Sequence, residues 1–221
     1  MAKTDLDLRP VLSFSRALEK NNNREWFQKH RPDYDAARAI FEDYIAAVIN
    51  ELSGTMPLAD ITPKDCIFRI YRDVRFSKDK SPYKPLMSAF VAPGGRKARR
   101  MGLYIHIEPK ESMLAGGLYQ PEPRQLAAWR ASIDRDPEPF KKITRHQTFR
   151  EYFGRIEGDR LKTAPRGYPK DHPELELLRL KNITVARKIS DKEVSSSDFL
   201  NETLVTYRAM KPFLDYLEAN S

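Results

Sequence analysis

The chain has 221 residues, of which 40% are hydrophobic and 10% aromatic, a composition that supports a folded core and excludes a disordered chain. Its one cysteine, Cys66, excludes an internal disulfide bond and suits the reducing cytoplasm. The first residues lack the apolar stretch of a secretory signal, and no apolar run approaches the length that spans a bilayer. We therefore expect a cytoplasmic protein without a membrane segment.

The first fifty residues are predicted to be helical. Apolar side chains recur at steps of three and four residues from Trp26 to Leu52, as they do on one face of a helix. Asn22 is expected to cap the start of this helix, because an acidic residue follows it three positions later. Pro32 disfavours helical geometry at the residue before it, so we expect a break or kink there.

Beyond residue 66 the period of the apolar pattern changes to two, which predicts strands with one buried face. The turn sequence Pro93-Gly94-Gly95 and the short connections favour antiparallel pairing. Gly116 and Gly117 interrupt an apolar strand and indicate a close approach to another strand or to a ligand, of which strand packing is favoured. The predicted strands are 68–72, 86–92, 103–108, 112–118 and 183–189.

Helical periodicity returns after the predicted sheet. Segments around 126–133, 140–143 and 174–180 are predicted helices, and a last helix near the C-terminus is expected to break locally at Pro212. The pattern predicts an α+β fold with a mostly antiparallel sheet of about five strands, flanked by N- and C-terminal helices. We expect residues 1–221 to form a single domain.

Positive charge is concentrated in one part of the sequence. Residues 69–100 contain ten Lys or Arg and two Asp. Their excess of positive charge equals the formal net charge of +8 of the whole chain. Concentrated charge repels itself in a folded protein, so an anionic partner would explain it. Arginine suits a carboxylate or phosphate because its planar fork binds two oxygens. We predict a small anionic or phosphorylated ligand, and the predicted ligand-binding residues are Arg69, Arg72, Asp73, Arg75, Lys80, Tyr83 and Lys84.

The densest run of charge is RDVRFSKDKSPYK, residues 72–84. Here Asp73 is expected to orient the arginines, while Phe76 and Tyr83 are expected to act as packing anchors. The alternative is a solvated loop whose charges pair with one another. The interleaved aromatic residues and prolines favour an ordered anion site.

The same run resembles the signature of a bacterial and fungal family known only as a domain of unknown function. Three other segments are similar to that family: NNNREWFQKHRPDY (21–34), LAGGLYQP (114–121) and LKTAPRGYPKDHP (161–173). The resemblance implies a shared fold over most of the chain and supports a single domain. It implies no reaction, substrate or catalytic residue.

A second loop, residues 161–173, is rich in Pro and Gly and supplies Lys162 and Arg166 as further predicted ligand-binding residues. Our hypothesis is that this loop and the 69–84 loop form opposite walls of one pocket. Asp171 and His172 are adjacent, as an acid and a base would be, but a surface turn is the favoured interpretation of that pair.

His106 lies on the polar face of its predicted strand, between Tyr104 and Glu108, where it suits acid–base chemistry near neutral pH. We predict His106 and Glu108 as the catalytic residues if the protein is an enzyme, which the sequence leaves open. The alternative is a hydrogen-bonded structural histidine. No nucleotide-binding motif or zinc-type cysteine array identifies a cofactor, and the nearby arginines argue against an obligatory metal.

Two other functions remain as alternatives. Residues 96–100 hold four basic residues at a predicted hairpin tip, so nucleic acid is the second candidate partner. The tip has no aromatic residue on which a base would stack, which argues against this partner. The third alternative is a noncatalytic interaction domain whose basic surface binds an acidic protein.

Overall fold

The fold begins with helices, continues through a sheet and ends with a long helix. The computed structural model describes residues 6–75, 78–98 and 100–221. Their helices are α1 (Arg9–Lys20), α2 (Arg24–Lys29), α3 (Arg31–Leu52), α4 (Pro63–Cys66), α5 (Pro123–Arg135), α6 (Glu138–Arg145), α7 (Gln147–Phe153), α8 (Leu175–Leu178), α9 (Asp191–Val194) and α10 (Phe199–Ala219). None of these described helices has the length and apolar character required to cross a bilayer.

The strands are β1 (Met87–Val91), β2 (Leu103–Ile107), β3 (Ser112–Leu118) and β4 (Ile183–Ile189). They form one antiparallel sheet in the order β1-β2-β3-β4. Leu103, Ile105 and Ile107 are fully buried on one face of β2, as the alternating pattern predicts. The predicted α+β fold with terminal helices is therefore confirmed.

The break predicted at Arg31 lies one residue earlier, at His30, and the helix cap is also shifted by one residue. α2 and α3 are separated at His30. The N-cap of α2 is Asn23, whose side chain accepts a hydrogen bond from the N–H of Trp26 at 2.9 Å, so the prediction of Asn22 as the cap was wrong. Neighbouring asparagines are equally able to cap, and the tertiary contact of Asn22 decides between them.

The predicted strand 68–72 is wrong. Isolated bridges at Ile67 and Tyr71 stand where a continuous ladder was expected. The segment opposite Tyr71 contains Pro82 and Pro85, which have no N–H to donate, so a regular ladder does not form.

The predicted break at Pro212 is also wrong, because α10 continues to Ala219. Proline removes one backbone hydrogen bond from a helix interior. Phe213 and Leu214, which follow it, are buried, and this packing offsets the loss.

The described residues form two compact units. One contains the described part of 1–99 together with 103–114 and 188–205, and the other contains 100–102, 115–187 and 206–221. We call them the first and the second unit. β3, β4 and α10 each contribute residues to both units. The single domain expected for residues 1–221 stays a prediction.

In the first unit, α3 is held through Tyr44, which is fully buried. Its ring stacks on Phe199 with 5.5 Å between centroids and 10° between planes. Its hydroxyl shares a hydrogen bond of 2.6 Å with the hydroxyl of Thr203. The buried polar group is thus satisfied, which makes this packing stabilising.

In the second unit, the fully buried Trp129 lies edge-on to Phe140, with ring centroids 5.8 Å apart. The neighbouring Arg130 donates to the carbonyl oxygens of Leu178 at 2.8 Å and Leu180 at 3.2 Å. These bonds satisfy carbonyl groups at the end of α8 and fix the turn before β4.

Gly116 and Gly117 closely approach other parts of the protein, as the favoured prediction of strand packing expects. A Cβ at Gly116 would collide with the sulfur of Met210, and one at Gly117 would collide with the carbonyl oxygen of Ile183 in β4. Gly117 also has φ +121°, which side-chain-bearing residues rarely adopt.

We therefore expect Gly117→Ala to lower the free energy of unfolding by about 2–3 kcal/mol, because it combines backbone strain with the collision. Urea unfolding measures this change. Gly54→Ala is the control, since a Cβ there meets no atom within 4 Å, and its effect should stay below about 0.5 kcal/mol. Equal effects of the two substitutions would contradict the packing described.

Candidate functional site

The segment 69–84 is attached to the N-terminal helices through Asn22. The amide nitrogen of Asn22 donates to the carbonyl oxygen of Tyr83 at 2.9 Å, and the N–H of Tyr83 donates to the Asn22 amide oxygen at 3.1 Å. The ring of Tyr83 is 3% exposed and stacks on Phe27, with 4.0 Å between centroids. Tyr83 is thus a packing anchor, and Asn22, which was predicted to cap a helix, is a second anchor of the segment.

Backbone hydrogen bonds pair residues 70–72 with 82–84. The N–H of Arg72 donates to Pro82 at 2.9 Å, and the N–H of Lys84 donates to Ile70 at 2.8 Å. This pairing places Lys84 opposite Ile70, which is buried. Because side chains alternate along extended chains, Arg72 and Lys84 lie on the same face of the pair.

The side chain of Lys84 is half-buried beside other cations. Burial, followed by the positive charges of Arg69 and Arg72, lowers the pKa of Lys84 below its usual range. Within the described residues, neither Lys84 nor Arg69 forms an ion pair, whereas Arg72 pairs with Asp79. We call Arg69, Arg72 and Lys84 the cationic cluster.

The other predicted ligands in this segment are bonded within the loop. Arg75 donates to both oxygens of Asp73, at 3.0 and 2.7 Å. Lys80 donates to the carbonyl oxygen of Val74 at 2.9 Å. Asp73 therefore orients one arginine, Arg75, and each of these two side chains is already bonded to the other. Phe76, the other predicted packing anchor, lies outside the described residues.

A depression beside the loop is open to solvent and has a volume of about 550 Å³. Its lining includes Asn22, Arg24 and Lys80, but no member of the cationic cluster. The position of Lys84 beside two arginines makes the cluster a stronger candidate for an anion site than this solvent-open depression, which none of the three cations lines.

The 161–173 loop belongs to the second unit, whereas the 69–84 segment belongs to the first. Lys162 and Arg166 are exposed, and neither pairs with a carboxylate in the described part of the chain. The common pocket of the two loops therefore stays a prediction.

His172 is bonded to Asp134 and not to its neighbour Asp171. Its Nε2 lies 2.9 Å from the Asp134 carboxylate, and its Nδ1 accepts the N–H of Glu174 at 3.0 Å. The partner lies 38 positions away, which is why adjacency in sequence does not identify it. With both ring nitrogens bonded, His172 stabilises the turn, as the favoured interpretation expects.

His106 lies between Tyr104, which is also in β2, and Glu108, which directly follows the strand. Its Nδ1 is 2.9 Å from the Tyr104 hydroxyl, and its Nε2 is 2.6 Å from a carboxylate oxygen of Glu108. The histidine is 8% exposed. His106 and Glu108 are thus in contact, and Tyr104, for which no role was predicted, is bonded to the same imidazole. Its position two residues before His106, on the same strand face, is the signal that could have found it.

The basic tip is bonded to other parts of the chain. The guanidinium of Arg96 donates to the carbonyl oxygen of Lys64, and Arg100 pairs with Glu218. Arg99, the third of the four bases of the tip, lies outside the described residues. No group of three or more His, Cys, Asp or Glu that could hold a metal ion occurs in the described part of the chain.

Replacing Asn22 should loosen the 69–84 segment. We expect Asn22→Ala to lower the free energy of unfolding by about 2 kcal/mol, because two hydrogen bonds to the Tyr83 backbone are lost together. Urea unfolding measures the change. Asn21→Ala is the matched control, since Asn21 makes a single exposed side-chain bond to Ala17, and it should cost less than about 1 kcal/mol. A smaller effect at Asn22 than at Asn21 would contradict the anchoring role.

The Asp73–Arg75 pair predicts an unusually low pKa for the Asp73 carboxyl group. Hydrogen bonds from the Arg75 side chain and backbone lower the pKa of Asp73 to about 2. Their stabilisation of the loop is complete above the usual Asp value of 3.8 and is lost as the pH falls through 2. NMR titration of the Asp73 carboxyl carbon should show this midpoint, and Arg75→Ala should return it towards 3.8. An unchanged midpoint in the variant would exclude Arg75 as the cause.

Comparison with known proteins supplies the family of the chain. The family described as conserved hypothetical protein (DUF2461) matches residues 10–216. No match was found among curated proteins or among solved structures. Since the match covers nearly the whole sequence, the expected family membership is confirmed, and the chain belongs to the DUF2461 family of conserved hypothetical proteins.

Proposed function

We propose that this protein binds a small anionic ligand, with a phosphate or carboxylate group, at the cationic cluster of Arg69, Arg72 and Lys84, and that it does so in the cytoplasm. The observation that carries the proposal is the half-buried ammonium group of Lys84, which lies beside two arginines and has no carboxylate partner among the described residues. The cytoplasmic location rests on the single cysteine, Cys66, which is buried and free.

The energetics of the cluster favour an anion. Removing an ammonium group from water costs free energy, and neighbouring positive charges add to that cost. A structural ion-pair network would offset the cost with an acidic side chain, as Asp79 does for Arg72. A bound anion would supply the missing negative charge, and the two guanidinium groups would each offer paired N–H donors.

Other residues of the 69–84 segment are suited to supporting the cationic cluster. The Asp73–Arg75 and Lys80–Val74 bonds tie described residues of the segment to one another before a ligand arrives. Tyr83 packs beneath the loop. Lys162 and Arg166 remain predicted ligand-binding residues of the second unit.

The nucleic-acid alternative has less support. Arg96 and Arg100 are engaged by Lys64 and Glu218, so their charges are not freely presented to a phosphate backbone. Binding through the tip would weaken steeply with salt, since each phosphate contact releases counterions. Neither this alternative nor an acidic protein partner explains a cation that is half-buried.

Titration calorimetry with inorganic phosphate, sulfate and small carboxylates tests the proposal. We expect Lys84→Met to weaken binding of the anion that binds wild type by at least about tenfold, the order of one charge-assisted contact. Lys188→Met is the matched control, because Lys188 is 88% exposed and lies in the first unit, 3.8 Å from Glu111. Absence of binding for all these anions, or equal losses in both variants, would overturn the proposal.

The same variant separates lost binding from unfolding. Because the pKa of Lys84 is lowered in the folded protein, its charged form opposes folding at neutral pH, and this penalty disappears as the pH rises towards the usual value of 10.5. Without ligand, Lys84→Met should therefore be as stable as wild type or more stable by about 0.5 kcal/mol at neutral pH, a small gain because solvent screens the charge.

A further inference from the structure

Three side chains at β2 and its C-terminal end form one hydrogen-bonded row. Tyr104 and His106 alternate along β2 and project from the same face, and Glu108 directly follows the strand. The Tyr104 hydroxyl lies 2.9 Å from Nδ1 of His106, and a Glu108 oxygen lies 2.6 Å from Nε2. All three residues belong to the first unit.

The chemistry of the row assigns its protons. An ionised carboxylate only accepts hydrogen bonds, so Nε2 of His106 carries a hydrogen and donates it to Glu108. In a neutral imidazole, Nδ1 is then the acceptor, and the hydroxyl of Tyr104 donates to it. A hydroxyl bonded to a base, with the base oriented by a carboxylate, is the arrangement that activates oxygen nucleophiles.

Ser88 also carries a hydroxyl near His106, since it lies directly opposite in the pairing of β1 with β2. No hydrogen bond joins Ser88 to His106 in the described part of the structure, whereas Tyr104 is bonded to the ring. Tyr104 is therefore the oxygen that His106 would activate.

The surroundings of Tyr104 indicate the class of electrophile. The ring of Phe68 lies edge-on to that of Tyr104, with 6.3 Å between centroids, and Phe90 is its partner across the strand pair. Both of these neighbouring side chains are apolar. A neutral acyl group fits this environment.

We propose that Tyr104 is a catalytic nucleophile for acyl transfer from apolar esters, with His106 as its general base and Glu108 as a positioning residue. The phenolic oxygen of Tyr104 forms a bond to the acyl carbon, and the bond between that carbon and the ester oxygen breaks. The phenolic proton passes to Nδ1 of His106 and then to the leaving oxygen, giving an alcohol or phenol. This inference does not depend on the anion site.

Acetylation of the wild-type protein by p-nitrophenyl acetate at pH 7 tests the proposal. Peptide mapping by mass spectrometry locates the acetyl group, and Tyr119 is an internal control because it is 72% exposed. Exposure alone predicts that Tyr119 reacts first. The hydrogen-bonded row predicts that Tyr104 reacts at least about tenfold faster than Tyr119, since general-base catalysis contributes on the order of a hundredfold or more.

Variants then assign the parts. Tyr104→Phe should abolish the fast reaction, and His106→Gln should reduce the rate at Tyr104 to that at Tyr119. Glu108→Gln should slow Tyr104, and Glu108→Asp should restore part of the rate. Ser88→Ala is the matched control on the facing strand and should leave the rate unchanged.

Continued release of p-nitrophenolate beyond one equivalent, lost in Tyr104→Phe, would also support the proposal. Faster labelling of Tyr119, labelling of Ser88 in place of Tyr104, or no reaction of the wild type would overturn it. The comparison of Tyr104 with Tyr119 is made within one wild-type molecule, so it stands even if a variant fails to fold.

Discussion

The paired hydrogen bonds between Asn22 and the backbone of Tyr83 hold the basic segment to the helical part of the first unit. A side-chain amide satisfies both backbone groups of Tyr83, much as a neighbouring strand would, at a position where the prolines prevent a ladder. The stacked ring of Phe27 holds the same residue from its side chain. The positions of Arg72 and Lys84 follow from this attachment, because they flank the pair that it fixes.

The charged side chains of the basic segment lie in two different kinds of environment. Asp73 and Arg75 satisfy each other in solvent, so this pair contributes shape more than stability. Lys84 is different, since it is half-buried beside the positive charges of Arg69 and Arg72. Proteins keep such unfavourable groups where function requires them, because replacing them would gain stability at the cost of binding. Net charge alone does not distinguish these two cases.

The sequence predicts the fold class well and the site in part. Periodicity identifies β2 and α10 because each buries a continuous face. It fails at 68–72, where the apolar pattern is correct but Pro82 and Pro85 remove the donors of the partner segment. Composition finds the cationic segment, but only the structure shows that Arg75 is paired with Asp73 and that Lys84 has no ion-pair partner among the described residues. The bond between His172 and Asp134 joins distant parts of the sequence, so no local pattern reveals it.

β1 lies at one end of the sheet order, where a strand normally presents unpaired backbone groups. In this chain the N–H of Phe68 occupies the carbonyl oxygen of Ser88 at 2.9 Å, and Ile67 bridges Ala89. The covering segment is itself irregular, because prolines punctuate the residues opposite it. This segment thus covers the edge of the sheet, and its own irregular backbone is a poor template for a strand of another molecule. Together these two features protect the protein against edge-to-edge aggregation at high concentration.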